Sequence, residues 1–183
     1  MGMRFVMLWL ILIAIIIGIG FIFAQHIDQK RWQRYQFERD IFFRTHPYLL
    51  DTNQQFAILF AIGKSSQKRL INELMLKPSD QSIYKKIYLQ RESTKNHDLQ
   101  TVKVTLNDLK LGYLEKQYAH ALCQSLKHTD FLIGRPIELL AEIFVFECDH
   151  GELGCRVKLD LPRDPQMVRE LLIEKVESEH TTI

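Results

Sequence analysis

Two cysteines and a histidine stand close together in FECDHGELGCRV (146–157): Cys148, His150 and Cys155. Thiolates and imidazoles bind zinc, and a pair of thiols can close a disulfide, so the types present allow metal, redox or purely structural roles. Cys148 and Cys155 are equidistant from Gly151-Glu152, a dipeptide suited to a two-residue type II′ turn with Gly first. The hairpin so formed sets the two cysteines opposite each other on neighbouring strands. In an oxidising compartment they form a disulfide; in a reducing one they stay thiols and pack as small apolar side chains. A metal site is less well served. Two Cys and one His on a tight hairpin supply three ligands, with spacing unlike the paired C-x2-C knuckles of zinc sites. Packing or a disulfide at Cys148 and Cys155 is therefore the first expectation, and a redox or metal site at Cys148, His150 and Cys155 the alternative.

Elsewhere the chemistry-bearing residues form no constellation. AIGKSS (61–66) resembles the end of a phosphate-binding loop, but the Gly required five residues before Gly63 is Ile58, inside an apolar run. Gly63 reads as a strand terminator and Lys64 as a solvated side chain. His120 and Cys123, three apart on a helical pattern, can share a face, yet nothing marks a cleft around them. His26, His46, His97, His128 and His180 are scattered, and Asp149 and Glu152 lie on the turn. There is no serine-nucleophile elbow, no H-E-x-x-H and no acid pair. The expectation is a non-enzymatic protein without cofactor or nucleotide, and a net charge of +2 gives no argument for nucleic acid.

The elements that position these residues begin with an apolar run. Across 183 residues the composition is 46% hydrophobic and 25% charged, yet FVMLWLILIAIIIGIGFIFAQ (5–25) holds no charge. At about 1.5 Å per residue this run covers about 30 Å, the thickness of a bilayer core. It predicts a transmembrane helix after a four-residue tail (1–4). A cleaved signal peptide would have a shorter core and a small-x-small exit, whereas Ile22-Phe23-Ala24 has a bulky first position. Val6 stands where a myristoylation signal needs Ser or Thr. With no second such run, the chain reads as single-pass.

Lys and Arg near the ends of a span set its orientation. Arg4 and the terminal amine precede the run; Lys30, Arg31, Arg34, Arg39 and Arg44 follow it. The excess places the C-terminal domain in the cytoplasm, on a bacterial-type inner membrane. A short N-terminus with one Arg is also found in proteins facing the periplasm, which is the alternative. Residues 26–47 form a basic, aromatic juxtamembrane helix, ended by His46-Pro47. Lys30, Arg31, Trp32, Arg34, Tyr35 and Arg39 give it a surface that rests on lipid headgroups or, alternatively, docks a partner protein.

From Tyr48 to about residue 178 the pattern is that of an α+β domain. FAILFAI (56–62) reads as a buried strand, with a helix as alternative, and SSQKRLINELML (65–76) as a helix with Leu70, Ile71, Leu74 and Met75 on one side. IYKKIYLQRES (83–93) and TVKVTL (101–106) read as strands, the second alternating in and out. NDLKLGYLEKQYAHALCQSL (107–126) predicts a long helix capped at Asn107. Strands follow at 137–148 and 155–161, then a helix from Pro165 to about Glu177 with Asp164 as N-cap. The first six elements match the split βαβ, or ferredoxin-like, order of an antiparallel sheet, extended by the last strand and helix; 179–183 is a tail. The plan of anchor, short helix and such a domain is similar to that of inner-membrane assembly proteins of pilus and secretion machines, without a shared motif. It implies a scaffold or adaptor that binds membrane lipid and other envelope proteins, with self-association possible; an envelope sensor domain is a further alternative.

Overall fold

The computed structural model describes residues 2–78, 81–92, 101–148 and 151–174, with residues 2–24 described by their backbone alone except at Gly18 and Phe21. Two compact units are present, one ending at Phe42 and the other beginning at Phe43. The first consists of helix α1 (Gly2–Thr45) up to Phe42; the helix runs without a break through the point where the sequence suggested a separate juxtamembrane segment. It stops where His46-Pro47 denies it a further donor. On it Trp32 and Tyr35 stack with ring centroids 5.8 Å apart, and Arg39 pairs with Asp40 at 2.9 Å. Among the described residues no helix is long and apolar enough to cross a membrane. The expected span, 5–25, lies outside the described side chains except at Gly18, Phe21 and Gln25.

The second unit is α+β. Its elements are β1 (Tyr48–Leu50), β2 (Ile58–Phe60), α2 (Lys64–Glu73), β3 (Ile83–Glu92), β4 (Thr101–Leu106), β5 (Leu109–Tyr113), α3 (Lys116–Ser125), β6 (Ile137–Glu147), β7 (Leu153–Leu159), α4 (Val168–Leu171) and β8 (Leu172–Glu174). The strands form one sheet in the order β2-β7-β6-β3-β4-β5, with β1 and β8 attached beside β6. All pairings are antiparallel except that of β1 with β6. Period-two alternation builds the core. Ile87 and Leu89, Val102 and Val104, Ile137 to Val145 at every second residue, and Cys155, Val157 and Leu159 are all buried on one face. Leu70 and Ile71 of α2 and Ala119, Leu122 and Cys123 of α3 are buried in the same core. A Cβ placed on Gly112 of β5 would stand 3.2 Å from Phe60 Cζ of β2, so the sheet curls until the ends of its strand order approach. α2 packs against both β5 and β7, across that seam.

This topology departs from the split βαβ arrangement. There the first strand would lie inside the sheet; here, among the described residues, β2 is at the end of the order and pairs only with β7, over three residues. The reason is local. Asn53, Gln54 and Phe56 have φ of 57°, 59° and 42°, values that interrupt an extended chain. The segment is held so by Asp160, 3% exposed, which accepts hydrogen bonds from the Thr52 hydroxyl and, at 3.3 Å, from Phe56 N–H. Most of the apolar run 56–62 is therefore not strand.

Two expected helices are also corrected. Asn107 caps no helix: Asn107 and Asp108 are the two-residue turn of the β4–β5 hairpin, with Asn107 at φ 50° and Leu106 opposite Leu109. Asn tolerates this left-handed conformation, and Leu109 and Leu111 then turn inward on a strand instead of a helix. The C-terminal helix does begin as expected, with Asp164 Oδ1 accepting from Gln166 N–H at 2.9 Å and Pro165 at its first position. It ends at Leu171, because Leu172–Glu174 pairs with the free side of β1; residues 175–177 lie outside the described set. Arg135 holds this corner: Nε donates to His46 O at 2.7 Å, and the guanidinium lies 4.1 Å from the Tyr48 ring centroid.

Asp160→Ala removes the acceptor shared by Thr52 and Phe56 in a buried place. The expected loss is about 1–3 kcal/mol of unfolding free energy, read by urea titration, with faster hydrogen exchange at the Phe56 amide.

Candidate functional site

The hairpin that carries the cysteines has a different register from the one the sequence suggested. Glu147 pairs with Leu153, Phe146 with Gly154 and Val145 with Cys155. Cys148 N–H continues the ladder to Glu152 O at 2.7 Å. Three residues of sequence thus separate the paired Cys148 and Glu152, the last of them Gly151 at φ 76°. A three-residue loop closed by a left-handed Gly is a common hairpin connection, and it explains why Gly151 is there. Relative to the expected pairing, the partner of Cys155 moves three positions, from Cys148 to Val145. An odd shift exchanges the faces of a strand. Cys155 thus points into the core, while Cys148 lies on the other face beside Phe146, its Sγ 2.9 Å from where a Cβ of Gly154 would be.

All three cysteines are free thiols: Cys123 and Cys155 buried, Cys148 exposed. Burial pushes the Cys123 thiol up from its ordinary pKa, opposed by the Arg91 charge, and burial alone pushes up Cys155. His120 is exposed on α3 while Cys123 is buried, so these two do not share a face as a dyad. His150 and Asp149 lie outside the described residues. Among the described residues no three His, Cys, Asp or Glu side chains are grouped to hold a metal ion.

Instead of a thiol pair, the structure brings Cys148 to the wall of a groove of about 550 Å³ between α2 and the hairpin. One wall is α2, presenting Lys64, Gln67, Lys68, Ile71 and Asn72; the other is Cys148, Glu152, Leu153 and Gly154. Lys64, Lys68 and Asn72 are spaced four apart and share one face of the helix, as do Gln67 and Ile71. Leu70 and Ile71 bury the inner side of α2 and fix which face turns to the groove. Its volume is that of a ligand cleft, with apolar surface at Ile71 and Leu153 beside two cations and two amides. Lys64 and Lys68 were not legible as site residues. Lys64 reads as a solvated side chain until the chain places α2 beside the hairpin.

The outer sheet face carries a second polar set. Glu142 accepts from Lys158 Nζ at 2.9 Å and Ser82 Oγ at 2.8 Å, and Lys86 meets Glu138 at 2.6 Å. The hydrogen bond from Lys158, then that from Ser82, hold the Glu142 carboxyl below its ordinary range. These acids are satisfied cross-strand partners, which is a structural role. On α1, Lys30, Arg31, Trp32, Arg34 and Tyr35 are exposed and Arg39 half-buried, all on one helix. Compared with known protein families, curated proteins and solved structures, the chain matches none.

Native-state alkylation with iodoacetamide is expected to modify Cys148 far ahead of Cys123 and Cys155. Peptide mapping reads the order, and Cys148→Ser should abolish the fast phase; equal rates at all three sites would contradict the placement of the hairpin.

Proposed function

We propose that the chain is a single-pass membrane protein whose α+β unit binds other proteins, a scaffold or adaptor of an envelope complex. The carrying observation is the continuity of α1, in which the uncharged 5–25 run and the basic, aromatic stretch after it belong to one unbroken helix ending at Thr45. A run of about 20 apolar residues matches the hydrocarbon thickness of a bilayer. Beyond it the helix bears the stacked Trp32 and Tyr35 among Lys30, Arg31 and Arg34, a composition suited to headgroup level. The basic excess on this side favours a cytoplasmic C-terminal unit at an inner membrane. Support for protein binding comes from the groove between α2 and the hairpin, whose mix of apolar floor and cations suits a polypeptide.

The redox or metal reading of Cys148, His150 and Cys155 has less behind it, because the register directs the two thiols to opposite faces of the sheet.

Expressed in a bacterial host, the full chain should stay in the membrane pellet after alkaline carbonate extraction, and deletion of residues 5–25 should release it. A green fluorescent protein fused at the C-terminus should fluoresce, and alkaline phosphatase fused there should be inactive. Full-length protein in the soluble fraction would overturn the anchor; phosphatase activity would overturn the orientation.

A further inference from the structure

The sheet face turned away from α2 and α3 carries apolar side chains where a solvated face is ordinarily polar. The pairing registers place them. Leu59 of β2 lies opposite Lys158 of β7, Lys158 opposite Glu142 of β6, and Glu142 opposite Tyr84 of β3, so these four make one row across the sheet. The rows beside it add Phe144 opposite Arg156 and Phe146 opposite Gly154. Both helices bury their inner side chains in the core on the opposite side. Leu59 is accordingly 66% exposed and Tyr84 53% exposed, with the Phe56 ring centroid 5.4 Å from that of Tyr84. Phe144 and Phe146 are half-buried and stack at 6.3 Å. Gly154 makes room for the second of these rings, since a Cβ there would stand 2.8 Å from Phe146 Cζ.

Around these side chains the charges are settled, with one exception. Lys86 pairs with Glu138 at 2.6 Å and Lys158 with Glu142 at 2.9 Å. Arg156 is exposed and, among the described residues, has no ion-pair partner. It lines a depression of about 220 Å³ together with Ser82, Glu142, Phe144 and Lys158. Ser82 Oγ and Lys158 Nζ both donate to Glu142, so the guanidinium is the uncommitted charge there, beside an aromatic wall. The depression is smaller than the about 300–1,000 Å³ of a ligand cleft and suits one side chain. A guanidinium takes a carboxylate in a planar, two-bonded fork.

The geometry points to this face, centred on Leu59, Tyr84 and Arg156, as the docking surface for a partner protein that sets a carboxylate side chain against Arg156 among apolar residues covering Leu59 and Tyr84. An apolar patch with a polar rim is the usual mark of an interaction surface, and Tyr, Phe and Arg are the residue types enriched in such interfaces. Arg and Tyr are also the anchors whose truncation costs most. The inference rests on the protein-binding reading above and adds where the partner sits and what it offers.

The test puts the photo-reactive residue p-benzoylphenylalanine in place of Leu59, of Tyr84, or of Lys68 in the α2 groove, in the full chain in its native membrane. Irradiation should join the Leu59 and Tyr84 positions to one and the same protein, and peptide mapping should find the joined segment apolar and carrying Asp or Glu. Arg156→Glu should cut the yield at least tenfold, and Arg156→Lys should keep most of it. Changing the partner's acid to Arg should restore the yield in the Arg156→Glu chain. Arg156 is exposed, so neither variant disturbs the core, and unchanged thermal melting checks this. Joining to a second copy or to lipid alone, a partner segment without an acid, or a yield indifferent to Arg156→Glu would each overturn the inference. The wider reading fails separately. Capture of a protein from the Lys68 position but from neither Leu59 nor Tyr84 would refute this face and leave protein binding in place, whereas capture from none of the three would refute both.

Discussion

The sheet depends on β6, eleven residues long, which has β3 along one side and β7 and β1 in succession along the other. β3 runs along one side from Ile137 to Ile143, and β7 covers the other from Ala141 to Glu147, with β1 continuing at Ile137 and Glu138. Its odd-numbered residues, Ile137 to Val145, are all buried, and each neighbour turns its own apolar face the same way. A slip of one residue in either ladder would turn this whole set to solvent, so the register of β3 and β7 is tightly specified. The hairpin loop is then forced to have the length it has. Gly151, at a φ that costs other residues dearly, closes it in three residues, and the face each cysteine takes follows from that.

The shortness of β2 has its origin at Asp160. By gathering the Thr52 hydroxyl and the Phe56 amide, this buried carboxylate holds the 52–56 segment in a bent course, and only Ile58 to Phe60 are left to run as β2. The pairing of β2 with β7 accordingly stops at Phe60 and Val157. Instead the chain turns at Gly63 into α2, where Gln67 Nε2 donates to Ile62 O at 2.9 Å and fixes the first turn of the helix against the strand it leaves. The groove is thus the consequence of a strand cut short and a helix begun early, and both causes are local.

How much of this was legible in the sequence follows the same division. β4 was readable to the residue, because TVKVTL alternates strictly and one face is buried, and the apolar stripes of α2, β3 and β6 placed those elements within a few residues. Where a residue has two local uses, the sequence left the choice open. Asn107 can cap a helix or make a left-handed turn, and the choice falls to whether Leu109 and Leu111 meet β4. Gly151 can open a two-residue turn or close a three-residue one, and the pairing of β6 decides. The apolar stripe at 165–177 suits a helix, but the free side of β1 captures Leu172–Glu174. Lys64 and Lys68 carry no signal at all by themselves; only the curling of the sheet, with α2 across the seam, makes them the wall of a groove.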